Sequence, residues 1–392
     1  MKKSNKNFIE NDVVTHSSSK GFHLAFEIVV VLLMIFMLLF PAKGSDYRIY
    51  STDGIYYVRA EVLEVLSEDL EESSLGTGHK LGMQKLRVRL SDDSEIELNN
   101  YLTDAHNVYA EKGQSVIVCI DSPEGVEPYY TVYNYSRVLP LVCLVGIFVG
   151  LLVFVGKRNG FDAFLSILFS LILILRIALP LLYSGSSPVL IGLGTVLLST
   201  SVTITLMHGF TKQCLLAVVT TLIGELAACA LFAAFSGALH LTGFQTEQAE
   251  GLLLIAHRTG LQIKTLLIAG MMISSLGAVM DVAVSILSSL REIARVGHNM
   301  SRTELFHSGI NIGKDLIGTM SNTLIFAFAG GALTTMLVFY SYGVQFHQLL
   351  NSDYLALELA QGLCSTSAVI LTVPAAAIIG AMFFAHKTIA KT

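Results

Sequence analysis

An aspartate in the middle of a membrane-length apolar run is the feature that most limits what this chain can become. Asp281 lies inside the stretch Leu266–Leu290, which is long enough to span a bilayer. A carboxylate at that depth costs about 3 kcal/mol or more, so it is expected to face a polar interior rather than lipid. The run leads into an amphipathic segment carrying Arg291, Arg295, His298, Arg302, His307 and Lys314. A second apolar run follows, opened by Asp315 and Thr319 and carrying Asn322 and Thr323.

Composition sets the class. Of 392 residues, 53% are hydrophobic and only 14% charged, with a mean hydropathy of +0.63. A soluble domain carries roughly a quarter charged residues, so the chain reads as an integral membrane protein in contact with a lipid bilayer. No basic block stands outside the helix-flanking positions, which excludes a nucleic-acid partner. Of the five cysteines only Cys119 lies outside an apolar run, so neither a disulfide framework nor a CxxC metal site is expected. With no Trp, interfacial anchoring falls to Tyr47, Tyr50, Tyr56, Tyr135, Tyr183 and Tyr340.

Along the chain, residues 1–21 form a polar tail and residues 22–41 an apolar anchor whose core, Leu24–Phe40, is closed by Pro41. The long prefix and the lack of a clean small-x-small cleavage site favour a retained anchor over a signal peptide. Residues 45–136 are soluble in character. Period-two alternation at Tyr56–Leu66 and Gln84–Leu90, a turn at Asp92–Ser94 into Glu95–Leu98, and segments Ser115–Ile120 and Tyr129–Tyr133 predict short strands. About five such strands suggest a small β-barrel-like domain of OB-like type. Glu68–Gly78 reads as a solvated acidic loop.

Residues 137–392 are expected to hold seven helices. The predicted spans are Val138–Val155, Phe161–Leu182, Val189–Met207, Cys214–His240, Thr265–Ser288, Leu316–Ser341 and Cys364–His386. Residues 290–314 form a cytoplasmic amphipathic connector between two of them. With the anchor, the fold class is an α-helical polytopic membrane protein of about eight transmembrane helices. Lys157, Arg158, Lys212, the Arg291–Lys314 bracket, Lys387 and Lys391 all fall on the side of the N-terminal lysines. The positive-inside rule then puts both termini in the cytoplasm and the β-domain outside.

Depth arithmetic gathers the polar groups. At 1.5 Å per residue, Asp281 lies roughly 7 Å and Asn322 roughly 9 Å inward of the midplane of their helices, so the two are nearly level. Ser274, Gly277, Asp281, Ser285 and Ser288 form a small-polar stripe on one helix, and Asp315, Thr319 and Asn322 another on the second. Glu225 sits in the middle of its span. Arg176 lies outward of centre, within reach of the outer interface or of Glu225. The serine/threonine run Ser199–Thr205 fits helix packing, as do Gly192–Gly194 and Gly330–Gly331. Dispersed His208, His298 and His307 make no metal site, and no cofactor motif is present. GxSxG, HExxH and Walker A sequences are absent, so no enzymatic activity is expected.

The stretches SSLGAVMDVAVSILSSLREI (Ser274–Ile293) and GINIGKDLIGTMSNTLIFAFAGGAL (Gly309–Leu333), with the KGQSVIV turn and strand, resemble the YibE/F-like bacterial membrane proteins. The likeness covers most of the chain and implies residence in the bacterial cytoplasmic membrane. A remoter resemblance links the Asp281 helix, its Arg-Glu exit and the Asn/Thr helix to SecD/SecF and the RND permeases. It implies that Asp281 is a proton-relay carboxylate with Asn322 and Thr323 as neighbours, although two extra spans and a small external domain depart from that pattern.

Two readings of the residues stand. One is a transport or export-associated protein with Asp281, Asn322, Thr323 and Glu225 relaying protons or Na⁺, supported by Ser274, Ser285, Thr319, Asp315 and Arg176. The other is a scaffold or sensor in which the same groups only hold helices together and the β-domain binds an envelope component or partner protein. Oligomerisation through small residues is compatible with either.

Overall fold

Side chains along Lys80–Leu90 alternate between buried and exposed, and that alternation turns the polar segment into a sheet. A computed structural model describes residues 4–39, 52–76, 78–123, 125–244, 249–297 and 300–385. His298, Tyr47, Tyr50, Phe40, Pro41, His386, Lys387 and Lys391 lie outside the described residues. The chain divides into two units, Tyr50–Leu151 and the remainder.

The first of these units contains five antiparallel strands: β1 (Ile55–Glu72), β2 (Lys80–Leu90), β3 (Glu95–Leu102), β4 (Ser115–Asp121) and β5 (Tyr129–Tyr135). Their order is β3-β2-β1-β4-β5. Register shifts at Val62/Glu64 and Val65/Ser67 bend the long β1, which curls the sheet into a half-barrel. Val62, Leu86, Val88, Leu98, Val116, Val118 and Val132 fill its core. The β3–β4 connection is tied inward by buried amides. Asn100 Nδ2 donates to the Val108 carbonyl at 2.8 Å and Gln84 Nε2 to the Ala110 carbonyl at 3.1 Å.

The acidic loop expected at Glu68–Gly78 is shorter than that. Glu68–Glu72 continue β1, with Glu72 opposite Lys80 and Glu68 opposite Gln84. The acidic side chains remain exposed along the strand, as a solvated charge run should, and Gln84 Nε2 donates to Glu68 Oε1 at 2.7 Å.

Helices build the second unit: α1 (Ser4–Leu39), α2 (Val138–Leu173, which begins in the β-unit), α3 (Leu179–Tyr183), α4 (Pro188–His208), α5 (Lys212–Ala238), α6 (Ala249–Thr259), α7 (Ile263–Val296), α8 (Arg302–Gly331), α9 (Leu333–Ser341), α10 (Phe346–Leu350) and α11 (Asp353–Phe384). Among the described residues, six helical stretches are long and apolar enough to cross a membrane, and α8 with α9, bent by 54°, is a further candidate. The apolar window of Val138–Tyr183 has no buried residue at all. Such a surface is compatible with lipid. That stretch is also broken. Lys157 takes φ 51°, and a Cβ on Gly160 would collide with the carbonyl of Leu152, so the chain folds back on itself there. A π-helical turn at Ile174–Ala178 precedes Pro180, whose ring opposes the carbonyl four residues back and widens the turn.

Several segments expected to be irregular are helical. The N-terminal tail is helical from Ser4, since neither Gly nor Pro interrupts it before Gly21. Residues 242–262 contain α6, and the loop expected at 343–358 contains α10 and the start of α11. Ser352 caps α11 by accepting from the Leu355 amide, with Asp353 in the first turn. The connector 290–314 is no separate element. It consists of the end of α7 and the start of α8, which opens on a Ser301–Glu304 capping box. Gly330 and Gly331 have open space where a Cβ would point; they mark the α8–α9 bend rather than a close helix contact.

One helix organises this unit. α7 packs on α4, α5, α8 and α11, and its Met271, Met272, Val279, Val282, Ile286 and Leu290 are fully buried in the main core. On α8, Gly309 and Gly313 lie against Ala377 and Val373 of α11, the close approach that small residues one turn apart permit.

Candidate functional site

Polar groups on α7 divide between its two sides. Ser275 is fully buried, whereas Ser274 and Asp281 are exposed and Ser285 is intermediate. Gly277, on the exposed side, has nothing near the position of a Cβ.

The buried side meets Glu225. This residue stands at the centre of α5 and is 0% exposed. Both of its carboxyl oxygens lie 3.0 Å from Ser275 Oγ. The same hydroxyl lies 3.0 Å from the Met271 carbonyl and 3.3 Å from that of Met272. A serine carries a single proton, so only one of these acceptors receives it at a time. No cationic side chain pairs with Glu225 among the described residues. The helices come together closely here: a Cβ on the adjacent Gly224 would run into Thr372 Oγ1 of α11 and crowd Val279 of α7. Thr372 itself donates to the Ala368 carbonyl at 2.7 Å.

Three further hydroxyls are buried without a hydrogen-bond partner among the described residues, Thr221 Oγ1, Thr200 Oγ1 and Ser321 Oγ. Thr221 precedes Glu225 by one turn of α5, and Thr200 belongs to the serine/threonine run of α4. Most of that run is packed: Ser199, Thr200, Thr203 and Thr205 are buried. Ser199 Oγ lies 2.6 Å from Ser170 Oγ and Thr205 Oγ1 3.4 Å from Cys214 Sγ.

The expected Asp281–Asn322 layer is not closed by contacts. Asp281, Asp315, Thr319, Asn322 and Thr323 are all exposed, and no hydrogen bond joins Asp281 to Asn322 among the described residues. Thr319 and Thr323 donate to carbonyls of their own helix, those of Leu316 and Thr319. Ser274 Oγ lies 3.2 Å from Ser365 Oγ of α11, and Ser288 accepts from Gln213 at 2.6 Å. Arg176 donates to the carbonyl of Leu38 at 2.6 Å, at the end of α1, where unsatisfied carbonyls favour a cation. No contact between Arg176 and Glu225 occurs among the described residues.

Sequence reasoning found Glu225 but passed over Ser275 and Thr221. Depth alone ranks a carboxylate and says nothing of which side of a neighbouring helix meets it. A usable signal was present: Ser275 recurs at i+4 and i+7 with Val279 and Val282, the apolar side of α7. His208 lines a cavity of about 280 Å³ with Thr211, Gln213, Ser288, Arg291, Glu292 and Arg295, while the ring of His307 packs beside Phe306.

Neither the curated proteins nor the solved structures offer a match to the chain. The likeness to SecD/SecF and the RND permeases therefore gains no support from them. The profile of the family described as YibE/F-like protein matches residues 144–386, a span containing Glu225, Ser275, Asp281 and Asn322. The chain belongs to the YibE/F-like family.

Proposed function

We propose that the chain is a transport or export-associated protein of the bacterial cytoplasmic membrane, without enzymatic activity, in which Glu225 relays protons or Na⁺. The observation that carries this reading is a fully buried carboxyl whose partner is a single hydroxyl. With Glu225 ionised, Ser275 donates to it. With Glu225 protonated, the acid donates to Ser275 Oγ, whose own hydroxyl then turns to donate to the Met271 carbonyl. The two groups thus accommodate both charge states by turning one hydroxyl. Asp281 lies six residues beyond Ser275 on α7, roughly 9 Å along the axis. It serves as the exchange group on the exposed side, with Asn322 and Thr323 completing the path.

In this reading the break at Lys157 divides Val138–Tyr183 into two spans, and α8 with α9 counts as one, for about eight in all. The positive-inside rule keeps both termini in the cytoplasm. The half-barrel lies outside. Its strand order and the approach of β3 to β5 suit an OB-like domain.

Infrared difference spectroscopy on vesicles containing the full chain tests the relay. A carboxyl band that responds to pH between about 5 and 8, or to Na⁺, and disappears in Glu225→Gln supports it. A carboxyl with one protonation state throughout, or a band that survives Glu225→Gln unaltered, sinks it.

A second reading, a scaffold or sensor, rests on the half-barrel. A groove of about 330 Å³ is lined by Lys85, Glu97, Leu98, Asn99, Pro128, Tyr129 and Tyr130. Its charged and aromatic lining suits an envelope component or partner protein. Retained function in Glu225→Gln together with loss in Lys85→Ala would favour it.

A further inference from the structure

At the start of the apolar part of α1, titratable side chains converge from two helices. His23 and Glu27 stand one turn apart on α1, and Asp162 comes from α2, four residues after Arg158. His23 Nδ1 lies 2.8 Å from Glu27 Oε1. His23 Nε2 lies 2.7 Å from the Leu206 carbonyl of α4 and 3.8 Å from Asp162 Oδ2. Arg158 reaches Glu27 Oε1 at 2.9 Å and His23 Nδ1 at 3.2 Å. One donor atom from each of His23, Glu27 and Asp162 lies within 4.8 Å of the other two.

Three observations separate this cluster from an ordinary ion pair. Asp162 is 2% exposed, and its Oδ1 is buried with no hydrogen-bond partner among the described residues. An orphaned carboxylate oxygen inside a protein is costly and calls for a counter-charge. Arg158 supplies that charge to Glu27 rather than to Asp162, and its side chain is 52% exposed, free to swing away. Finally, the Leu206 carbonyl can only accept, so His23 carries a proton on Nε2 and leaves Nδ1 as the nitrogen that faces Glu27. A backbone carbonyl holding the far nitrogen of the ring is the arrangement that orients metal-binding imidazoles. In the neutral ring Nδ1 and the Glu27 oxygen are two acceptors side by side, a pair that suits a cation lying against both. In this structure the Arg158 guanidinium takes that place.

We propose that His23, Glu27 and Asp162 bind a divalent transition-metal ion such as Zn²⁺, with Arg158 as a displaceable counter-charge. One imidazole nitrogen and two carboxylates suit such an ion at about 2.0–2.2 Å from each ligand atom. Side-chain rotation closes the remaining separation, and a fourth position is left open toward the side that Arg158 vacates. Binding ties α1 to α2 and, through His23, to the last turn of α4. No metal site was legible in the residue pattern because Asp162 lies far along the chain from His23 and Glu27.

Zn²⁺ and Co²⁺ titrations of the purified full chain in detergent test the site. The wild type is expected to take up one equivalent of Zn²⁺, to give a visible Co²⁺ absorption band, and to unfold at a higher temperature when loaded. Asp162→Asn and His23→Gln should each weaken binding by at least about tenfold, and Arg158→Gln should tighten it. Absence of stoichiometric binding in the wild type, or binding that Asp162→Asn and His23→Gln leave unchanged, overturns the proposal. Should either variant fail to fold, Arg158→Gln decides: tighter Zn²⁺ binding supports a metal site, whereas unchanged or weaker binding overturns it.

Discussion

Glu225 and Asp281 are both carboxylates on apolar helices, yet they meet opposite sides of α7. Glu225 reaches the buried side and touches Ser275 amid α5, α7 and α11. Asp281 projects from the exposed side, beside an open Gly277. The same side-chain chemistry is thus held in place at one position and left accessible at the other. A group that stores a charge needs the first setting, and a group that exchanges it with its surroundings needs the second. The contrast also teaches that apolar depth in a sequence is a poor guide to enclosure. Both carboxylates lie in membrane-length apolar runs, yet Asp281 is exposed and Glu225 is fully buried.

The largest difference between the two sides should come from added volume. Gly224→Leu drives a side chain into Thr372 and Val279 and is expected to cost about 3 kcal/mol or more. Gly277→Leu meets open space and should leave the unfolding temperature in detergent nearly unchanged. Equal losses in the two variants would break the distinction drawn here.

A smaller effect separates the hydroxyls. Ser275→Ala strips Glu225 of its partner and should destabilise by about 1–3 kcal/mol. Thr319→Ala, an exposed change that removes a bond within one helix, should stay within about 0.5 kcal/mol. Restoring stability to Ser275→Ala by adding Glu225→Gln would show that the cost arises from the carboxyl.

Function sharpens the comparison differently. If Glu225 stores the ion and Asp281 exchanges it, Glu225→Gln abolishes the infrared carboxyl response, while Asp281→Asn slows it without changing its amplitude. Time-resolved measurement after a pH jump distinguishes the two.

The smallest effect lies in the half-barrel. Lys85 and then Arg87 hold the Glu97 carboxyl below the usual carboxylate range. A depressed folded value means that the stabilisation is present above the unfolded value, about 4.3, and is lost as pH falls through the folded one. Glu97 is exposed, and such surface pairs contribute little. Glu97→Gln should therefore remove only a slight acid-side decline in stability, seen as a shallower pH dependence of half-barrel unfolding.

Some of this architecture was legible in residue patterns alone. Alternation places β1 and the second half of β2, and the turn at Asp92–Ser94 places the start of β3, because a strand with one buried and one solvated side shows its period locally. Ser301 with Glu304 marks the start of α8 in the sequence itself, because capping is a local interaction. Glu68–Glu72 was misread as loop because its backbone partners, Lys80–Gln84, lie across a hairpin and leave no mark in the local charge pattern.

What the sequence by itself determined is the set of apolar helices, the strands of the half-barrel and the family, since periodicity, hydropathy and motif spacing are properties of neighbouring residues. Tertiary structure alone decided which side of α7 meets Glu225, that Arg176 serves the end of α1, and that His23, Glu27 and Asp162 share one place. Those outcomes depend on the rotation of each helix about its axis. That rotation is fixed by close packing between distant segments, such as Gly224 on Thr372 and Gly313 on Val373.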